Sequence, residues 1–294
     1  MSDFAKIGFI GLGSMGLPMA LNLAQAGLPM TGYDLRPEAG AALTVGGGTA
    51  APDARQAAEN AEALVLMVVN GAQARDLLIG QRLAEAMAPG GVIVLMATCL
   101  PDEVRALAEE VAQTGRILVD APVSGGVAGA QAGTLSIMAA GEAAALDRLA
   151  PLFEAMGGAT FRVGSEPGQG AVAKSVNQLL CGVHLAAAAE AMSLAEKLGL
   201  DSEVMLEIVS GSAASSWMLR DRGPRMIAAP GPVTSAVDIF VKDLGIVAEA
   251  GRAAKAPLPL AAAALQMFLA ASASGDGALD DSQVIRSYRR LVGR

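Results

Sequence analysis

Two short segments in the middle of the chain carry groups suited to acid–base chemistry on an anion. Ser124-Gly125-Gly126 follows a strand-like run and Pro122, and it offers a hydroxyl and backbone N–H groups that no side chain obstructs. A nest of this kind binds a carboxylate. Lys174-Ser175-Val176-Asn177 lies near the start of a long helical pattern, and its lysine is a candidate proton donor. Together they indicate proton transfer on a substrate that carries a carboxylate.

A glycine turn near the N-terminus indicates a dinucleotide site. The strand-like run Lys6–Ile10 leads into a G-x-G-x-x-G pattern that opens a helix, Gly11-Leu12-Gly13-Ser14-Met15-Gly16. The first glycine permits a tight turn, the second lets the backbone approach a pyrophosphate, and the third allows the helix to pack closely on the strand. The phosphates would then meet the free N–H groups of the helix N-terminus.

Asp34 and Arg36 indicate which dinucleotide is bound. Asp34 ends the second strand-like run, where it would accept hydrogen bonds from the adenosine ribose and repel the 2′-phosphate of NADP. We therefore predict NAD as the cofactor. Arg36 could partly accommodate that phosphate, so NADP stays open as an alternative. Met67 and Val68, within the strand-like run Ala63–Val69, are also predicted to bind the cofactor.

Lys174 is the candidate acid–base residue because the chain has a single histidine, His184. On one continuous helix His184 would lie about 15 Å along the axis from Lys174 and about 80° around it, so we interpret it as a packing residue. Asn177 and Gln178 lie on the same helical face as Lys174. Beside an oxidised nicotinamide in a poorly solvated cleft, the charged form of the lysine would be disfavoured. We expect the glycines of 168–170, just before the helix, to let a ligand approach closely.

The fold class follows from the order of the patterns. Strand-like and helical runs alternate through the first half, which predicts a doubly wound, mostly parallel α/β sheet with both faces covered. Only helical patterns follow residue 165. Because 294 residues suffice for two domains, we predict a Rossmann domain over 1–165 and an all-α domain over 166–294, joined by a long helix over Ala171–Leu198.

Composition excludes several kinds of partner. With 21 Lys and Arg against 29 Asp and Glu, the net charge of −8 would repel nucleic acid. No uncharged apolar run reaches the roughly 18 residues of a membrane span, and no signal peptide pattern is present, so we predict a cytoplasmic protein without membrane contact. The two cysteines form no disulfide framework, and no metal site is predicted.

In their order, these motifs resemble the β-hydroxyacid dehydrogenases, a family that includes 3-hydroxyisobutyrate dehydrogenase. The resemblance covers nearly the whole chain and is carried by Gly8–Met19, Asp120–Gly126, Gly170–Gln178 and Lys242–Leu244. It implies an N-terminal Rossmann domain, an all-helical C-terminal domain, and oxidation of a small hydroxy acid with NAD. It also implies a homodimer or homotetramer built largely through the helical domain.

The resemblance assigns roles to matching positions. Lys174 would be the catalytic acid/base, and Asn177 would orient the substrate. The substrate carboxylate would bind to Ser124, Gly125 and Gly126. Thr98 and Lys242 would lie near the cofactor, with Asp243 supporting Lys242. Many members carry asparagine where this chain has Gln178, so the substrate contacts at that position need not be the same.

The segments Gln178–Leu180, Ser215–Met218 and Ser235–Gly245 look most like the branch of the family that acts on L-threonate. This suggests a four-carbon sugar acid, with Gln178 and Trp217 among the substrate-binding residues. The alternatives within the class of hydroxy acid enzymes are 3-hydroxyisobutyrate dehydrogenase and tartronate semialdehyde reductase. An imine reductase of related architecture and a non-catalytic dinucleotide-binding protein are the alternatives outside it.

Overall fold

The computed structural model describes residues 4–229 and 231–293. Its internal contacts divide the chain into an N-terminal unit, residues 1–174, and a C-terminal unit, residues 175–294. The division falls inside a long helix that begins at Gln169, whereas the sequence patterns placed the boundary between residues 165 and 166.

The N-terminal unit is built on a mostly parallel sheet, with nine strands in the part of the chain that the structure describes. The strands are β1 Ile7–Ile10, β2 Met30–Tyr33, β3 Thr49–Ala50, β4 Ala63–Leu66, β5 Val92–Leu95, β6 Ile117–Asp120, β7 Val123–Ser124, β8 Leu135–Ala140 and β9 Gly157–Gly164. Their order is β3-β2-β1-β4-β5-β6-β8-β7, and β9 pairs with β8. Strands β1 to β6 are parallel, and β8 is antiparallel to β6 and β7.

Both faces of this sheet are buried, which explains why its strands are continuous apolar runs. Ile7 and Phe9 of β1 belong to one core cluster, and Ile10 of the same strand belongs to the other. All four residues of β1, β4 and β5 are buried. Alternate side chains therefore supply two cores on opposite faces, as in doubly wound proteins.

Eight helices cover the sheet in the described part of the N-terminal unit. They are α1 Gly16–Gln25, α2 Pro37–Val45, α3 Ala54–Ala58, α4 Gly71–Arg75, α5 Leu83–Ala86, α6 Pro101–Ala112, α7 Gly126–Ala132 and α8 Ala143–Met156. The sequence pattern had suggested one helix over Ala72–Met87. The structure interrupts it with a π-helical turn at Asp76–Gly80 and with Arg82, whose φ of +58° lies in the left-handed region.

The C-terminal unit is helical, and the predicted fold class is confirmed. Its helices are α9 Gln169–Lys197, shared with the N-terminal unit, and α10 Ser202–Ser210, α11 Trp217–Ile227, α12 Val237–Ala253, α13 Pro259–Ala271 and α14 Ile285–Leu291. Phe240 and Phe268 stack in its core with ring centroids 5.0 Å apart. By length and composition α9 could cross a membrane, but half of its most apolar window is buried inside the protein, as in the core helix of a soluble protein.

Candidate active site

The glycine turn after β1 is shaped by the protein's own backbone at two positions and open at the third. A Cβ on Gly11, whose φ is +94°, would lie 2.4 Å from the Met67 carbonyl oxygen, and one on Gly16 would lie 1.8 Å from the Gly11 oxygen. A Cβ on Gly13 would meet nothing closer than Arg36 Nη2 at 3.9 Å. The first and third glycines therefore permit close packing, and the second leaves room for a ligand.

Helix α1 begins at Gly16, directly at the end of this turn. Its N-terminus has no side-chain cap and no acidic residue in its first turn. Ser14 is exposed and Met15 half-buried, whereas Leu12 is buried. Leu17 already donates its N–H to the Gly13 carbonyl at 3.0 Å and Pro18 has no N–H, so the backbone of the turn and the positive end of the helix dipole are what suit a pyrophosphate here.

Asp34 follows β2 and is bonded to the glycine turn. Its Oδ2 accepts the Leu12 N–H at 2.8 Å, and its Oδ1 accepts Arg36 Nε at 2.9 Å. Arg36 also donates from Nη2 to the Leu12 carbonyl at 3.0 Å. Burial acts to raise the pKa of Asp34, but the hydrogen bonds and charge of Arg36, with the Leu12 N–H, outweigh it and lower that pKa. Asp34 is therefore a fixed carboxylate beside the turn.

The remaining predicted cofactor residues of this unit follow the next two strands of the sheet. Met67 and Val68 come directly after β4, and Thr98 follows β5; all three are half-buried. The Met67 N–H donates to the Ile10 carbonyl at 2.9 Å, which places the end of β4 beside the end of β1. Because carboxyl ends of parallel strands meet at one edge of a sheet, these residues share an edge with the glycine turn.

These residues fit a nicotinamide dinucleotide. The open space at Gly13 and the uncapped start of α1 suit the pyrophosphate, and the Asp34 carboxylate suits ribose hydroxyls. Among the described residues, no group of three or more His, Cys, Asp or Glu side chains could hold a metal ion.

Ser124, Gly125 and Gly126 form a turn between β7 and α7. Gly125 has a φ of +133° and Gly126 a φ of +62°, conformations that L side chains rarely adopt. Helix α7 has neither a side-chain cap nor an acidic residue in its first turn. Ser124, the residue before these glycines, is half-buried, and a turn of this composition can accept an anion.

Lys174 lies in the second turn of α9 with only 6% of its surface exposed. Asp120, the last residue of β6, holds the start of this helix: its Oδ2 accepts the N–H groups of Gly168 at 3.0 Å and Ala171 at 2.7 Å. Asp120 is completely buried, and burial raises its pKa to about 6, against the opposing effect of these backbone hydrogen bonds. The sequence analysis named Asp120 only as part of a motif and gave it no role, although a charged residue ending an otherwise apolar strand was a detectable signal.

The glycines around residue 169 serve packing, which corrects the sequence-based expectation. Helix α9 begins at Gln169, so Gly170 lies inside it and not before it. A Cβ on Gly170 would lie 2.7 Å from the Met138 carbonyl oxygen and 2.8 Å from that of Asp120. One on Gly168 would lie 2.9 Å from the Pro101 oxygen. The close approach is thus made to the protein's own backbone.

In the C-terminal unit, Asp243 joins two of the predicted site residues. Its Oδ2 accepts Gln178 Nε2 at 2.6 Å, and its Oδ1 pairs with Lys242 Nζ at 2.6 Å. Asp243 and Gln178 are buried, at 3% and 8% exposure. The longer side chain of Gln178 thus reaches the carboxylate that fixes Lys242. Asn177 lies one residue before it, with Oδ1 3.8 Å from Cys181 Sγ.

Trp217, the first residue of α11, is 47% exposed and packs against a buried ion pair. The guanidinium of Arg222 lies 5.8 Å from the centroid of the indole ring. Arg222 in turn makes two hydrogen bonds to the fully buried Asp281, at 2.8 and 3.0 Å. The indole therefore packs against a guanidinium that the ion pair holds in place, while about half of the residue remains exposed.

Comparison with known proteins gives family matches for both halves of the chain. Residues 6–164 match the NAD binding domain of 6-phosphogluconate dehydrogenase, and residues 168–288 match a domain described as NAD-binding of NADP-dependent 3-hydroxyisobutyrate dehydrogenase. L-threonate dehydrogenase of Escherichia coli is 42% identical over 293 residues, covering 99% of this chain and 97% of that protein.

Two further relatives are similarly close. L-threonate dehydrogenase of Cupriavidus necator is 41% identical over 284 residues, 96% of each chain. The crystal structure of 3-hydroxyisobutyrate dehydrogenase from Salmonella typhimurium has a TM-score of 0.91 at 42% identity, and it covers 96% of this chain and 99% of that chain.

Proposed function

Because the chain belongs to the β-hydroxyacid dehydrogenase family, we propose that it oxidises one hydroxyl of a four-carbon sugar acid, L-threonate or a close relative. The family establishes the coarser activity: the protein is an oxidoreductase that acts on CH–OH groups of small hydroxy acids with a nicotinamide dinucleotide. The proposal adds the substrate, the preference for NAD, and the residues that carry the chemistry.

The burial and position of Lys174 carry the proposal. With 6% exposure, Lys174 is held at a defined place in the second turn of α9, where its amine can exchange a proton with the hydroxyl of a bound substrate. In oxidation Lys174 Nζ takes the proton of the reacting hydroxyl, and in reduction it returns that proton to the oxygen. When bound, the nicotinamide ring supplies the acceptor for the hydride that leaves the same carbon. Asn177, three residues further along α9, would orient the hydroxyl.

The substrate carboxylate is assigned to the turn of Ser124, Gly125 and Gly126. The two positive φ angles and the uncapped start of α7 support this assignment, because glycine N–H groups in such a turn carry no competing side chain and can bind an anion. This turn and Lys174 both belong to the N-terminal unit. A hydroxy acid held here by its carboxylate can present its hydroxyl to a base on the same unit.

We propose NAD as the preferred cofactor because Asp34 is ionised and fixed at the end of β2. Its carboxylate suits the ribose hydroxyls and opposes a 2′-phosphate. Arg36 is committed to Asp34 and to the Leu12 carbonyl, so its charge is partly neutralised where the phosphate would need it. Thr98, Met67 and Val68 are assigned to the same bound cofactor, as is Lys242 with its partner Asp243.

For the distal hydroxyls of a sugar acid, the proposal uses the residues around Trp217 and Gln178. Both L-threonate dehydrogenases compared above exceed 40% identity over nearly the full chain, which favours this substrate. The second candidate is 3-hydroxyisobutyrate, favoured by the name of the solved structure at 42% identity. A site that pairs distal hydroxyls leaves polar groups unsatisfied when an analogue lacks them, so the two acids should be strongly discriminated.

The deciding experiment measures kcat/KM for NADH formation from L-threonate and from 3-hydroxyisobutyrate under identical conditions. We expect L-threonate to be preferred by about 10²-fold or more. Lys174→Ala should lose about 10²–10⁴-fold in turnover while still binding NADH, as followed by NADH fluorescence. His184→Ala is the matched control from the same helix and should keep most of its activity. A preference for the branched acid would replace the substrate, and an active Lys174→Ala would remove the proposed base.

The assembly and location of the protein are part of the same proposal. We propose a cytoplasmic homodimer or homotetramer that binds neither nucleic acid nor membranes. Exposed apolar side chains on helices of the C-terminal unit support self-association, among them Val176 at 61%, Leu194 at 55% and Ile208 at 57% exposure. Light scattering after gel filtration would measure the subunit number, and a monomeric mass would contradict the proposal.

A further inference from the structure

We propose that Asp120 is a positioning residue for the proton transfer: its carboxylate fixes the first turn of α9, from which Lys174 follows one turn later. The inference rests on the proposed role of Lys174. It concerns residues of the N-terminal unit alone.

Two hydrogen bonds fix the start of the helix. Oδ2 of Asp120 accepts the N–H of Gly168 at 3.0 Å and that of Ala171 at 2.7 Å, across 48 and 51 residues of sequence. Two donors separated along the chain restrain both the position and the rotation of the first turn. Rotation matters because Lys174 projects from the next turn, and its direction follows that of the helix.

Gly170 shows which face of the helix the carboxylate approaches. A Cβ at this position would lie 2.9 Å from Cγ of Asp120. Gly170 and Lys174 are four residues apart, so they share a face with about 5–6 Å between their Cβ positions. Helical side chains lean toward the N-terminus, so Lys174 leans over the glycine toward the turn that Asp120 contacts.

Helix capping alone does not account for this residue. A neutral serine or asparagine caps a helix about as well as aspartate does. Asp120 is instead a fully buried carboxyl, and its Oδ1 has no hydrogen-bond partner among the described residues. Burial raises its pKa to about 6, so the protein loses stability when this group ionises near neutral pH. Asp120 therefore costs stability that a neutral capping residue would not cost.

Asp120 also connects the lysine with the proposed carboxylate turn. It ends β6, and the chain passes through Ala121 and Pro122 to Ser124. The Asp120 side chain therefore links the start of α9, which carries Lys174, to the segment that leads into the proposed carboxylate turn. A shift of about 1 Å between such groups can cost 10²-fold in rate.

The test compares Asp120→Asn, which keeps an acceptor oxygen but loses the charge, with Asp120→Ala, which loses both. The control is Asp201→Asn: Asp201 caps α10 through the Val204 N–H at 2.9 Å and is exposed. Steady-state kinetics with NAD and L-threonate are measured from pH 6 to 10, and NADH binding is measured by fluorescence. Two charged side chains belong to the elements around the start of α9. They are Lys174 on α9 itself and Arg105 on α6, and Nη1 of Arg105 lies 3.0 Å from a Cβ placed on Gly168.

We expect Asp120→Ala to lower kcat about 10–100-fold with little change in KM or in NADH binding. Asp120→Asn should lower kcat by a smaller factor, about 3–10-fold, at unchanged KM, because it keeps one acceptor for the Gly168 and Ala171 N–H groups. Asp201→Asn should match the wild type in both respects.

The outcomes separate this inference from the function on which it rests. Wild-type kcat in both Asp120 variants, with Lys174→Ala inactive, would overturn the inference and leave the proposed function standing. A change in KM alone would also overturn it, since positioning for proton transfer acts on kcat. An active Lys174→Ala would instead refute the proposed function. If Asp120→Ala fails to fold, Asp120→Asn decides: a lowered kcat at unchanged KM supports the inference, and a wild-type kcat overturns it.

Discussion

Replacing Gly170 with alanine tests the packing at the start of α9 directly. The new Cβ would lie 2.7 Å from the Met138 oxygen, 2.8 Å from the Asp120 oxygen and 2.9 Å from Asp120 Cγ. Two of these atoms are backbone and cannot rotate away, so the helix start must move. Overpacking of this kind costs about 1–3 kcal/mol, against a gain of about 0.5–1 kcal/mol from alanine in a helix. The expected net loss is about 1–2 kcal/mol.

Such a loss should lower Tm by about 2–8 °C in a protein of this size, which calorimetry resolves. Turnover should fall roughly tenfold, because Lys174 is one helical turn from the displaced residue. Gly245→Ala is the matched control: it lies inside α12, and a Cβ there meets nothing within 4 Å. The control should keep its activity and gain stability. A Gly170→Ala protein as stable and active as the wild type would refute the assignment of this glycine to packing.

Three further expectations follow from buried or fixed charges. Asp34→Ser should shift the ratio of kcat/KM values for NAD and NADP toward NADP by about tenfold or more, and an unchanged ratio would contradict the proposed cofactor preference. Arg222→Met should lower the free energy of unfolding by about 3–5 kcal/mol, because it leaves the Asp281 carboxylate buried without its partner, whereas Arg75→Met, which breaks an exposed pair, should unfold in denaturant like the wild type. Burial raises the pKa of Asp120 to about 6 in the folded protein, against 3.8 in the unfolded chain. The free energy of unfolding should therefore be highest below pH 3.8 and fall by about 3 kcal/mol as the pH rises through 6. Unfolding curves of Asp120→Asn should not show this pH-dependent loss.

The sequence alone determined the features that depend on local pattern. Continuous apolar runs separated by helical patterns predicted the parallel sheet, because strands buried on both faces need apolar residues at every position. The glycine turn and Asp34 were readable because their spacing serves a single local structure, the β1–α1 turn and the end of β2. The long helix α9 was predicted nearly to its ends, since its pattern runs without proline from residue 171 to residue 198.

Tertiary structure alone decided how the proposed site is held together. The Asp120 carboxylate meets residues 48 and 51 positions away, and Gln178 reaches Asp243 across 65 positions. Gly170 suggested space for a ligand, yet the space is filled by the backbone of β6 and β8. Periodicity reports only on neighbours within a turn or a strand, because side chains repeat with the element that carries them. Contacts between distant segments depend on how those elements pack, which no local pattern encodes.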